Sequence, residues 1–160
     1  MAQSAALRAL LSRRLRGRFP PEWTRFTQLW LAFNAVYGGE PDQIERARVK
    51  AAIRNHVSEG TARAILKLSD VAVARILAIP PGDMRLGQWD PVFRRASLEQ
   101  ARIYRNRSQT AANRLTAVGG ILYQIRCNLL HGSKDPLDGR YQMLVRESVR
   151  VLELLVPEMD

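Results

Sequence analysis

A chain of 160 residues with 46% hydrophobic and 25% charged side chains has the length and composition of one globular domain and excludes a disordered or fibrous chain. No run of about 18 apolar residues is free of charge, which excludes a membrane-spanning helix on length. The net charge of +10, carried by 22 Arg and three Lys against 15 acids, points to a polyanionic partner. Nucleic acid comes first, because clustered guanidiniums bind phosphates bidentately and gain affinity from released counterions.

The whole chain reads as one all-α domain over residues 1–160, an antiparallel bundle of about five to six helices. Apolar residues recur at spacings of three and four, and Pro or Gly falls between the periodic blocks. Residues 1–20 form a basic helix or arm, with Arg8, Arg13, Arg14, Arg16 and Arg18 and no acid, a composition shared with organelle transit peptides. After Pro20 and Pro21, Phe26, Leu29, Trp30, Phe33 and Tyr37 mark the buried stripe of a helix stopped by Gly38 and Gly39. A second helix is expected from about Pro41 and Asp42 to Gly60, carrying Ile44, Ala47, Val49, Ala52 and Ile53. A third runs from Thr61 to about Ile79, with Ala64, Ile65, Leu68, Val71, Ala72, Arg75 and Ile76 in register before Pro80 and Pro81 end it.

Beyond the loop, Asp90 reads as an N-cap with Pro91 in the first helical position. That helix carries Phe93, Ala96, Leu98 and Ala101 together with five arginines, at 94, 95, 102, 105 and 107. The next helix spans about Gln109 to Leu130, with Leu115, Val118, Leu122, Ile125 and Leu129 inward and Gly132 as its C-cap. A last helix, from about Asp138 to Val156, buries Leu144, Val145, Val151, Leu152 and Leu155.

Candidate chemistry lies in the stretch ILYQIRCNLLHGSKD. Arg126 falls four residues after Leu122 and three before Leu129, which sets a guanidinium against the edge of an apolar stripe. Such a charge needs either an acid, for instance Asp138, or a ligand phosphate. His131 follows five residues later, about 140° away around a continuous helix. A turn released by Gly132 would therefore be needed to bring both side chains to one cleft. Read alone, His131 is a helix C-terminal residue favoured by the dipole. Read together, imidazole and guanidinium suit RNA cleavage through the ribose 2′-hydroxyl, one moving the proton and the other stabilising the phosphorane charge. Asn128, Ser133 and Lys134 are candidate substrate contacts, and equally candidate turn or capping residues.

Only Cys127 and two histidines, His56 and His131, are available as soft ligands. There is no CxxC and no HxxxH, so the chemistry is expected to run without a metal or other cofactor. A lone cysteine also fits a reducing cytoplasm. His56, near Arg54 in a last helical turn, and the aromatic block read as structural.

The stretch ILYQIRCNLLHGSKD resembles the signature of the HEPN superfamily, in which an Arg is followed a few residues later by a His at the end of a core helix. Upstream, LWLAFNAVYGG is similar to an early helix of several HEPN groups. The resemblance covers those two blocks. It implies a helical bundle that dimerises so that two Arg and His pairs face each other, giving a metal-independent endoribonuclease, as in toxins or defence components held by an antitoxin or other partner protein. It departs from the pattern at Cys127, where active members often carry a polar residue. A HEPN-like nucleotide-binding or dimerisation module without catalysis is the alternative reading.

Overall fold

The computed structural model describes residues 20–38, 44–131 and 138–159, His131 by its backbone alone. Residues 1–19, which carry the expected basic arm, lie outside the described residues. Six α-helices follow in chain order: α1 Pro21–Tyr37, α2 Glu45–His56, α3 Glu59–Ala78, α4 Arg95–Arg105, α5 Ala111–His131 and α6 Gly139–Leu155, with a closing 3-10 turn Val156–Met159. Among the described residues there is no strand and no helix long and apolar enough to cross a membrane.

α1 forms because Pro21 occupies its first turn, where the missing N–H costs nothing, and because its aromatic residues share one face. Phe26 stacks on Trp30 at 5.8 Å, and Trp30, Phe33 and Tyr37 meet edge to face at 5.1–6.3 Å, geometries that ring quadrupoles favour. This face lies against α6, whose Leu144, Val145, Val151, Leu152 and Leu155 are all buried as expected. Asp138 starts α6 by accepting from the backbone N–H groups of Arg140 and Tyr141 at 2.9 and 3.2 Å.

α2 ends earlier than the sequence suggests. Val57 is extended after His56, and Ser58 takes the capping position of α3, its Oγ accepting from Thr61 N at 3.1 Å. Gly60, expected as a stop, therefore sits in the first turn of α3. The expected start of α2 at Pro41 and Asp42 lies outside the described residues, and Ile44 and Ala47, expected inward, face solvent. In α3 the buried set is Ala62, Ile65, Leu66, Ser69, Ala72, Val73, Ile76 and Leu77. Leu68 and Val71 were expected inward but are exposed, because two apolar registers overlap on this helix and tertiary packing chose one of them.

α5 is the axis of the bundle, touching α2, α3 and α4. Leu115, Val118, Leu122, Ile125 and Leu129 are buried along it as expected. Its N-terminus is capped from α3: the Glu59 carboxylate accepts from Ala111 N and Ala112 N at 2.8 and 2.9 Å, which holds that carboxyl below its ordinary range by stabilising the charged form. At mid-helix a glycine pair lets the neighbours approach closely. A Cβ on Gly119 would lie 2.3 Å from Ile53 Cδ1 of α2, and one on Gly120 3.2 Å from Gln100 Oε1 of α4.

The connection from Ile79 to Arg94 folds back on itself. Asp83 N donates to Phe93 O at 2.7 Å, and Gly82 leaves room for the Phe93 ring, whose Cε1 lies 2.1 Å from where a Cβ would stand. Asp90 accepts from Val92 N at 2.8 Å and so caps a turn, and α4 itself begins only at Arg95. Of the apolar residues expected inward here, Ala101 is buried and Leu98 is exposed. Replacing Gly82 with Ala forces the ring or the loop to move, and the variant is expected to lose about 1–3 kcal/mol. Urea denaturation that shows an unchanged midpoint contradicts this account of the loop.

Candidate functional site

The C-terminal turns of α5 bring Tyr123, Gln124, Arg126, Cys127 and Asn128 to a junction with the end of α1 and the start of α2. Arg126 keeps 22% of its side chain exposed, and its Nη1 meets Glu45 Oε2 at 3.1 Å. The other oxygen of Glu45 accepts from the Tyr37 hydroxyl at 2.9 Å. Glu45 lies in the first turn of α2, where the helix dipole favours an anion. The acid facing Arg126 is thus Glu45 and not Asp138, which is spent capping α6. Burial pushes the Tyr37 hydroxyl well above the usual tyrosine range, and the bond to Glu45 adds to it, so Tyr37 stays a proton donor to that carboxylate. The Arg126 Nε is buried without an acceptor among the described residues.

The same turns of α5 also carry a cation and ring contact. The Arg46 guanidinium sits 5.4 Å from the Tyr123 ring centroid and also donates to Gln124 Oε1. Burial, followed by a hydrogen bond to Cys127, pushes the Tyr123 hydroxyl up, so the departure at Cys127 is in contact with an aromatic residue one turn earlier.

Asn128, expected either to hydrogen-bond the ribose or to hold the site, is 2% exposed and fully engaged. It donates from Nδ2 to Gly82 O at 2.7 Å, while its Oδ1 accepts from Met84 N at 3.2 Å and from Gln124 Nε2 at 3.0 Å. Its role is to tie the 79–94 connection to α5, because a buried amide must satisfy all its polar atoms. His131 is the last residue of α5, so the helix continues to the histidine itself. Its side chain, Gly132, Ser133 and Lys134 lie outside the described residues. Among the described residues no three His, Cys, Asp or Glu side chains gather as a metal site.

The structure therefore joins Arg126 to Glu45 and, through it, to Tyr37, neither of which the sequence singled out as a site residue. Glu45 and Arg126 are 81 positions apart, and neither motif spacing nor periodicity links them. One signal was available: an arginine on a core edge demands an acid, and Glu45 opens a helix.

The chain matches no family model, no curated protein and no solved structure.

Replacing Asn128 with Ala strands the Met84 N–H and the Gly82 carbonyl. The variant is expected to lose about 1–3 kcal/mol of stability, and its Met84 amide to exchange with deuterium faster than in the parent chain. Unchanged exchange at Met84 removes the positioning role given to Asn128.

Proposed function

We propose that this chain is a HEPN-like helical domain acting as a metal-independent endoribonuclease, with a composite site built by two copies of the chain and a biological role as a toxin or defence component under an antitoxin or other partner protein. The observation that carries the reading is the state of Arg126. One guanidinium nitrogen is held by Glu45, while the buried Nε has no acceptor among the described residues. A buried N–H without an acceptor is costly, and an incoming phosphate oxygen relieves that cost once Arg126 turns toward it. The charge of +10 draws the RNA backbone to such a surface.

In this mechanism His131 takes the proton from the ribose 2′-hydroxyl as that oxygen attacks the adjacent phosphorus. A protonated imidazole, from the second copy, gives a proton to the departing 5′-oxygen. Arg126 donates to the non-bridging oxygens, where negative charge builds in the pentacoordinate state. Glu45 and Tyr37 act as positioning residues that hold the guanidinium in place until substrate arrives. Two copies supply the two proton-transfer groups that one histidine near the site cannot.

The Glu45 ion pair also favours a second reading, a HEPN-like nucleotide-binding or dimerisation module without catalysis, because an acid already satisfies part of the Arg126 charge. Activity separates the two. In excess chelator the purified chain is expected to cleave RNA, and His131→Ala to slow cleavage by about 10²–10⁴-fold with its circular dichroism unchanged. Cleavage at the parent rate in His131→Ala defeats the assignment, and an intact wild-type chain that leaves RNA uncut supports the module.

A further inference from the structure

α3 and α6 pack side by side. They are pinned where Arg75 Nη1 meets Glu147 Oε1 at 3.0 Å and, one turn further along α3, where the Arg140 guanidinium donates to the Ile79 carbonyl. The two helices are therefore antiparallel. On the outer side of α3, Leu68, Val71 and Ile79 are 71%, 62% and 51% exposed. With Arg75 they recur at spacings of three and four, so they share one face of the helix. Leu68 stands two turns before Arg75 and Leu154 two turns after Glu147, which sets them at one level of the antiparallel pair. Ile79 and Met143, one turn away in the opposite sense, stand at another. Leu154 and Met143 are only partly buried, so apolar side chains reach the surface at both ends of the shared face.

Between those ends lies the cationic group. Glu147 is fully buried and meets Arg75, Arg146 and Arg150, each about half exposed. One carboxylate against three guanidiniums leaves positive charge in excess at the middle of the face. The other acids of these two helices are engaged elsewhere: Glu59 caps α5, Asp70 accepts from the Tyr104 hydroxyl of α4, and Glu153 pairs with Arg25 of α1.

We propose that the face shared by α3 and α6 docks an acidic amphipathic helix of a partner protein. Its apolar stripe covers Leu68, Val71 and Ile79, and its flanking carboxylates pair with the three arginines. Helices that lie in such grooves present anchors at this same three-and-four spacing, and exposed apolar residues in register mark interaction surfaces. Charge selects the occupant. A second copy of this face would set three guanidiniums against three, and residues 1–19 carry five arginines and no acid, so both meet like charge with like. A lipid surface is disfavoured because burying the stripe in acyl chains would take with it guanidiniums that Glu147 holds at its centre. The proposal gives a chemistry to the partner protein named above and does not rest on the nuclease reading, since binding is read without cleavage.

The test displays helical peptides of about three heptads with apolar residues at a and d and Glu, Lys, Gln or Ala at random beside them, and selects binders on the full chain. Selected peptides are expected to carry Glu far more often than Lys, and the best to bind with Kd below about 100 μM by fluorescence anisotropy. Leu68→Asp is expected to weaken that peptide by about tenfold or more, and Arg146→Ala by several-fold, with the Arg146 effect shrinking at high salt. Both positions are exposed, and if Leu68→Asp fails to fold, Val71→Asp reads the same loss. Failure to select a binder, Lys recovered as often as Glu, or affinity unchanged in the folded variants overturns the proposal. So does a chain that binds no peptide but loses self-association, or uptake by phosphatidylserine vesicles, on Leu68→Asp, since the face then belongs to a second copy or to a membrane.

Discussion

Two buried amides on α5, Gln124 and Asn128, tie the surroundings of Arg126 to the neighbouring elements. Each is 2% exposed, and Gln124 Nε2 donates to Asn128 Oδ1 at 3.0 Å. Neither can be left unsatisfied in a low-dielectric interior, so each recruits a neighbouring element. Gln124 draws in Arg46 of α2. Asn128 draws in the connection at Gly82 and Met84 and meets the Tyr141 hydroxyl of α6. On one side of this pair stands the Arg126, Glu45 and Tyr37 junction, and on the other a cavity between α2, α4 and the 79–94 connection that Phe93, Gln100 and Gln124 help to line. Positions on both sides are thereby fixed relative to one helix, the kind of rigid support a binding site needs.

The distribution of charge follows similar logic. Glu147 of α6 is 0% exposed yet ionisable, and it is met by three guanidiniums: Arg150 at 2.8 Å, Arg75 at 3.0 Å and Arg146 at 3.4 Å. Each of the three arginines is about half exposed, so one buried carboxylate anchors three cationic heads at the surface. The buried charge is compensated by hydrogen bonds from three sides, and excess positive charge stays where solvent and counterions screen it. Among the described residues, one acid thus gathers three arginines of α3 and α6.

Much of the architecture was legible in the sequence because burial is one-sided on most of these helices. The aromatic stripe of α1, the leucine and isoleucine stripe of α5 and the last helix announce themselves through their spacing, and Asp138 caps α6 where the residue type suggests a helix start. Elements failed where two physical signals competed. Leu68 and Val71 lie in helical register with true core residues of α3, and only packing shows which register faces inward. Gly60 looks like a stop, yet Ser58, two residues earlier, provides the cap that starts the next helix. Asp90 and Pro91 make a good first turn, but the Phe93 ring fits over Gly82 and delays the helix. At the site, Arg126 was legible as a charge needing a partner, while its partner Glu45 was not, because contacts between distant segments leave no trace in local spacing. Asn128 reads equally as a substrate contact or as a residue holding the site, and only the carbonyl of Gly82 and the amide of Met84 show what it holds.

In the reaction we propose, a guanidinium and an imidazole at the end of one helix direct RNA scission through the ribose 2′-hydroxyl. The ends of the cleavage products report on that step directly, since an attacking 2′-oxygen leaves a 2′,3′-cyclic phosphate on one fragment and a 5′-hydroxyl on the other. Mass spectrometry of the fragments is expected to show those ends, with scission lost at any position carrying a single 2′-deoxyribose. Fragments bearing 5′-phosphate and 3′-hydroxyl ends, or scission that persists at the deoxy position, would contradict it.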